Sequence, residues 1–144
     1  METVRLEDIQ TYAARILGQL PQKDDDATIV ALSGELGAGK TTFVQALGKE
    51  LGITDTMQSP TYVLMKSYPI SYKNFTRLIH IDAYRLKNAS EFAALKLEAF
   101  LHDSHALICV EWPERVAGAL PKPDITVKFS SDTMSQGERY IHFY

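Results

Sequence analysis

The sequence has a single cysteine, Cys109, so no internal disulfide can form, and its composition suits a reducing cytoplasm. It has no long apolar run: Ile29 to Leu32 and Leu107 to Val110 are typical, far below the roughly 18 residues of a membrane span. The first residues, Met1-Glu2-Thr3-Val4-Arg5, lack the basic flank, apolar stretch and small-residue cleavage site of a secretory signal. Internal repeats, low-complexity tracts and linkers are also missing. What remains is 144 residues, 45% hydrophobic, 10% aromatic and 23% charged. That profile predicts one soluble cytoplasmic domain spanning residues 1–144, large enough to bury a core without staples.

The formal charge of −3 argues at first against a nucleic-acid partner. It is unevenly spread. From Lys66 to Lys96, six basic residues (Lys66, Lys73, Arg77, Arg85, Lys87, Lys96) face two acidic ones (Asp82, Glu91), a local +4 against −7 elsewhere. Such asymmetry marks either a face that meets a partner or a solvated surface.

Apolar spacings of three and four from Leu6 to Leu20, before Pro21, predict an amphipathic helix. Thr28 to Leu32 reads as a buried strand, and Lys40 to Leu51 as a helix stopped by Gly52. Thr61 to Met65 reads as a strand, Ser67 to Asn74 as a hairpin connection, and Leu78 to Ile81 as a further strand. Asn88-Ala-Ser-Glu91 resembles a capping box opening a helix from about Ser90 to Leu101. Ala106 to Val110 is another buried strand, followed by a short helix opened by Pro113, and Ile125 to Phe129 and Arg139 to Phe143 are late β-like runs. Several strands lack an intervening helix, so the fold class is α/β with a mixed sheet of about seven strands, in three layers of the P-loop NTPase kind.

Between the first predicted strand and the helix at Lys40, Gly34-Glu-Leu-Gly-Ala-Gly39-Lys40-Thr41 fits GxxxxGK(S/T) in the setting that gives it meaning. Its glycines let backbone N–H groups turn toward phosphate oxygens, and the helix N-terminus adds partial positive charge. Lys40 should reach the β and γ phosphates, and the Thr41 hydroxyl should ligate Mg²⁺. Glu35, Gly37, Ala38, Gly39 and Thr42 complete the expected nucleotide contacts. Mg²⁺ chemistry needs further carboxylates, and Asp82 and Glu111 each directly follow a predicted buried strand, where α/β sheets keep their ligands. His80 shares a strand face with Asp82 and is either a hydrogen-bonded core residue or catalytic.

A regulatory GTPase should carry DxxG and NKxD strings, and neither occurs. A transport-type ATPase would need LSGGQ and about twice the length. A small-molecule kinase fits the length, yet only Arg115 and Arg139 in the last third could serve an arginine lid. A module that uses ATP only as a conformational ligand also stays open.

Four motifs in order, Gly34-Glu-Leu-Gly-Ala-Gly-Lys-Thr-Thr42, Ser59-Pro-Thr-Tyr62, His80-Ile-Asp-Ala-Tyr-Arg85 and Glu111-Trp-Pro-Glu114, resemble the TsaE family over nearly the whole chain. These are small bacterial P-loop ATPases needed for threonylcarbamoylation of the tRNA adenosine next to the anticodon. The resemblance implies an ATPase that hydrolyses Mg-ATP slowly by itself and turns over a TsaB–TsaD heterodimer, with tRNA reached indirectly or through the basic segment. It places Thr61 at the metal or its water shell and Thr11 near the adenine. It also implies that Asp82 and Glu111 organise metal and water, with Glu111 on the metal side, and Trp112 either stacks at the nucleotide, meets a partner or simply packs. Where the family tends to have a small residue, often Gly, this chain has Lys96; read as mid-helix, that lysine should be tolerated.

Overall fold

A computed structural model describes residues 2–34, 39–54, 65–84, 86, 90, 96–116, 118–130 and 138–143. In chain order the elements are β1 (Glu2–Arg5), α1 (Ile9–Gly18), β2 (Thr28–Gly34), α2 (Lys40–Glu50), β3 (Met65–Tyr72), β4 (Phe75–Asp82), α3 (Glu98–Leu101), β5 (Ala106–Glu111), β6 (Ile125–Ser130) and β7 (Glu138–Phe143). Short 3-10 turns cover Leu6–Asp8 and Pro113–Val116.

The apolar runs legible in the sequence lie side by side as the parallel centre of one sheet. Its order is β1-β7-β6-β2-β5-β4-β3: β6, β2, β5 and β4 run parallel, and the pairings β1–β7, β6–β7 and β3–β4 are antiparallel. Every residue of β5 is buried, as expected for a strand covered on both faces. Alternation divides the core in two. Val30, Leu32, Leu78, Leu107, Cys109 and Val127 meet α1 and α2, whereas Ile29, Ile79, Ile81, Ile108 and Val110 meet Leu86, Leu97 and Val116 on the other face.

The register brings the carboxyl ends of the parallel strands to one edge, with Leu32 and Asp82 both opposite Glu111 and Gly34 opposite Phe129. α2 leaves from that edge. It stops as expected at Gly52 (φ 81), where the Ile53 N–H reaches the Gly48 carbonyl and the Gly52 N–H reaches that of Lys49.

Three local expectations are corrected. Residues read as the Ser67–Asn74 connection are mostly strand, because β3 is a sheet edge that tolerates Pro69 and the turn shrinks to Lys73 and Asn74. β1 has no counterpart among the predicted strands; its backbone pairs with β7 despite a mixed sequence. In the middle segment Ser90 is helical, but Lys96 has φ 57 and the helix ahead of β5 begins only at Glu98. Lys96 therefore sits at a left-handed turn where glycine is favoured, and not inside a helix. Of the predicted strand Thr61–Met65 only Met65, the first residue of β3, is described; residues 61–64 and 131–137 and most of the capping box lie outside the described residues.

Candidate nucleotide site

The site begins where β2 runs out. Gly34 has φ 145, and a Cβ there would sit 2.6 Å from the Phe129 carbonyl oxygen of β6, so the chain can pass only as glycine. At the other end of the loop Gly39 has φ 105 and caps α2 without a side-chain hydrogen bond. The first intrahelical bond joins the Phe43 N–H to the Gly39 carbonyl. The earlier N–H groups of this 11-residue helix have no intrahelical acceptor, which makes its start suited to an anion.

Lys40, the first residue of α2, is only 5% exposed. Its ammonium donates to the Gly34 carbonyl and lies 3.5 Å from the centre of the Trp112 ring. Burial pushes its pKa below the usual lysine value, while the charges of Glu111, Glu114 and Asp82 oppose that shift. Among the described residues Lys40 forms no ion pair. A buried cation surrounded by carboxylates but joined to none fits a bound polyphosphate.

Trp112 reaches the lysine through an unusual backbone. It has φ 60, and its N–H bonds to the Leu32 carbonyl at 3.1 Å, turning the chain sharply at the end of β5. The Tyr84 ring lies 5.1 Å from the indole, and Arg115 lies 5.5 Å from the centre of Tyr84. Lysine, indole, phenol and guanidinium thus alternate along the rim.

Beneath this rim His80 Nε2 donates to Glu111 Oε2 at 2.6 Å, with both residues buried. Alternation along β4 puts His80 and Asp82 on the face of Leu78, as the sequence indicates, and Glu111 shares that face through Leu107 and Cys109. Asp82 is half-buried, and its Oδ1 accepts the Tyr84 N–H at 3.0 Å. Cys109, next to these acids, has its thiol pushed far up by burial and by Glu111.

The structure brings Gly39, Lys40, Thr41, Asp82, Glu111 and Trp112 to one edge. Thr41 is half-buried, and Thr42 is exposed. Thr11 is an exposed residue of α1 beside Tyr12, whose ring meets Phe43 one turn into α2. Glu35, Gly37, Ala38 and Thr61 lie outside the described residues. No cluster of three or more His, Cys, Asp or Glu occurs among the described residues. Sequence reasoning gave no role to Glu114, which acts on Lys40; the Glu111-Trp-Pro-Glu114 motif was the available signal.

The described residues of the basic segment do not share one surface. Lys73 Nζ donates to the Leu17 and Gly18 carbonyls at the end of α1, at 3.3 Å each. Lys66 lies over Tyr68 on the α1 side of the sheet, and Arg77 over Phe100 on the opposite side.

A family model described as threonylcarbamoyl adenosine biosynthesis protein TsaE matches residues 3–141. The chain belongs to the TsaE family. A TsaE from Treponema pallidum, a tRNA threonylcarbamoyladenosine biosynthesis protein, is 35% identical over 81% of this chain and 82% of its own length. The Streptomyces coelicolor TsaE is 46% identical over 60% of this chain, a match spanning 57% of that relative. The crystal structure of YdiB from Bacillus subtilis superposes with a TM-score of 0.70 over 99% of this chain and 84% of its own, at 24% identity, which supports the fold. Among the described residues of this TsaE-family chain, no helix is long and apolar enough to cross a membrane.

Proposed function

We infer that the chain binds and hydrolyses Mg-ATP in the cytoplasm, serving threonylcarbamoyl modification of the tRNA adenosine beside the anticodon by driving turnover of a TsaB–TsaD complex. The observation that carries this reading is the buried Lys40 ammonium, held by the Gly34 carbonyl and the Trp112 ring and joined to no carboxylate among the described residues. Family membership supports the pathway.

Each residue then has a task. Lys40 spreads charge from the β and γ phosphates, and the free N–H groups at the start of α2 hold phosphate oxygens. Thr41, Glu111 and, by family resemblance, Thr61 would hold Mg²⁺, which when bound neutralises phosphate charge. Asp82, half-buried at the rim, orients water on the phosphate side. Arg115 lies over the Tyr84 ring and the sequence offers no evident arginine finger, consistent with slow turnover until a partner completes the site. The scattering of the described basic residues favours tRNA being reached through partners.

The test is reconstitution with TsaB and TsaD. Terminally labelled ATP should give free phosphate, and multi-round tRNA modification should depend on this chain. Label on a metabolite would establish the small-molecule kinase instead, and modification that continues without the chain would refute the reading.

A further inference from the structure

Lys40 and Glu111 are the natural ion pair of this site, since Glu111 is the strongest of the charges acting on the lysine. Yet they do not pair. Glu111 Oε2 is engaged by His80 Nε2 at 2.6 Å, and among the described residues no other group donates to that carboxylate. A bond that short between a buried ring and a buried carboxylate outcompetes a longer-range attraction.

The register explains how the histidine comes to hold the acid. His80 pairs with Cys109 across β4 and β5, which puts it diagonal to Glu111 on the same face. The backbone of Glu111 is fixed separately, its carbonyl accepting the Ala83 N–H at 3.0 Å. Only the direction of the carboxylate remains to be set. His80 is 1% exposed, and its Nδ1 has no hydrogen-bond partner among the described residues, so the polar contact of the ring is directed wholly at Glu111. A histidine kept solely for packing would have both nitrogens satisfied or be replaced by an apolar ring.

We propose that His80 is a positioning residue that holds the Glu111 carboxylate away from the Lys40 ammonium, keeping that cation open to phosphate. The proposal rests on the reading of Lys40 as a phosphate ligand. Without His80 the freed carboxylate swings to Lys40, and an incoming polyphosphate must displace it.

The experiment measures ATP affinity by calorimetry with EDTA present, so that no metal contributes. His80→Gln places its amide nitrogen where Nε2 lies, whereas His80→Asn places it where Nδ1 lies and falls short of Glu111. His80→Gln should bind within about twofold of the parent chain and His80→Asn about tenfold more weakly. In a Glu111→Ala background the His80→Asn change should have no effect, because nothing remains to be held. Equal binding by His80→Asn and the parent chain, or the same loss with and without Glu111, overturns the proposal. A parent chain that does not bind ATP at all refutes the phosphate reading itself, a different result from either.

Discussion

The ammonium of Lys40 lies 3.5 Å from the centre of the Trp112 indole, and in the proposed function it engages a phosphate. Engaging one means leaving the ring. Trp112 is the only tryptophan in the chain, so its emission reports on this corner of the site. ATP is expected to change the fluorescence and AMP, with neither β nor γ phosphate, to leave it near the starting value. An equal response to both would show that the lysine does not move toward the terminal phosphates.

The same burial gives Lys40 a stability signature. Its pKa is held below the ordinary 10.5, so between the lowered value and 10.5 the unfolded chain binds more protons than the folded one. Stability contributed by Lys40 therefore rises with pH across that window, and below it the penalty is constant. Lys40→Met should be more stable than the parent by about 1 kcal/mol near neutrality, the gap narrowing as pH approaches 10.5. Urea titrations at neutral and alkaline pH check this, together with loss of ATP protection in the variant.

Gly34→Ala should be among the most damaging single-methyl changes. The new Cβ would lie 2.6 Å from the Phe129 oxygen and 3.0 Å from its Cβ, at φ 145. Gly52→Ala also has positive φ, at 81, but meets nothing within 4 Å. Losses of about 3 and about 1 kcal/mol are expected for the two in denaturant unfolding. Equal losses would mean that the contact with β6 is unimportant.

Lys96 offers the opposite opportunity. An exposed lysine at φ 57 carries left-handed strain that glycine does not. Lys96→Gly should raise stability by about 1 kcal/mol, read as a higher urea midpoint at unchanged slope.

Lys96 also shows where the sequence misleads. Lysine has good helical propensity, and in isolation the segment reads as helix; the left-handed φ of 57 has no signature in the residue itself. The buried strands and the helix that starts at Lys40 were legible because burial, period two and the glycine spacing are local patterns. Asp82 and Glu111 could be placed at strand ends for the same reason. Their alignment, and the bond from His80 to Glu111, depend on the register of β4 against β5, which sequence spacing does not contain. The backbone turn at Trp112 is likewise hidden, since φ 60 at a tryptophan is imposed by the tertiary bond from its N–H to Leu32 on the neighbouring strand. The basic segment is continuous in sequence, but the β3–β4 hairpin sends Lys66 and Arg77 to opposite faces of the sheet.

The pairing of Gly34 with Phe129 and of Leu32 with Glu111 has a consequence for synthesis on the ribosome. β2 is among the first strands translated, yet both of its neighbours come late in the chain. Until they emerge, its edges are open to wrong partners and Gly34 lacks the neighbour it packs against. The centre of the domain therefore closes late, through contacts of long sequence separation, which slows folding and exposes the nascent chain to aggregation.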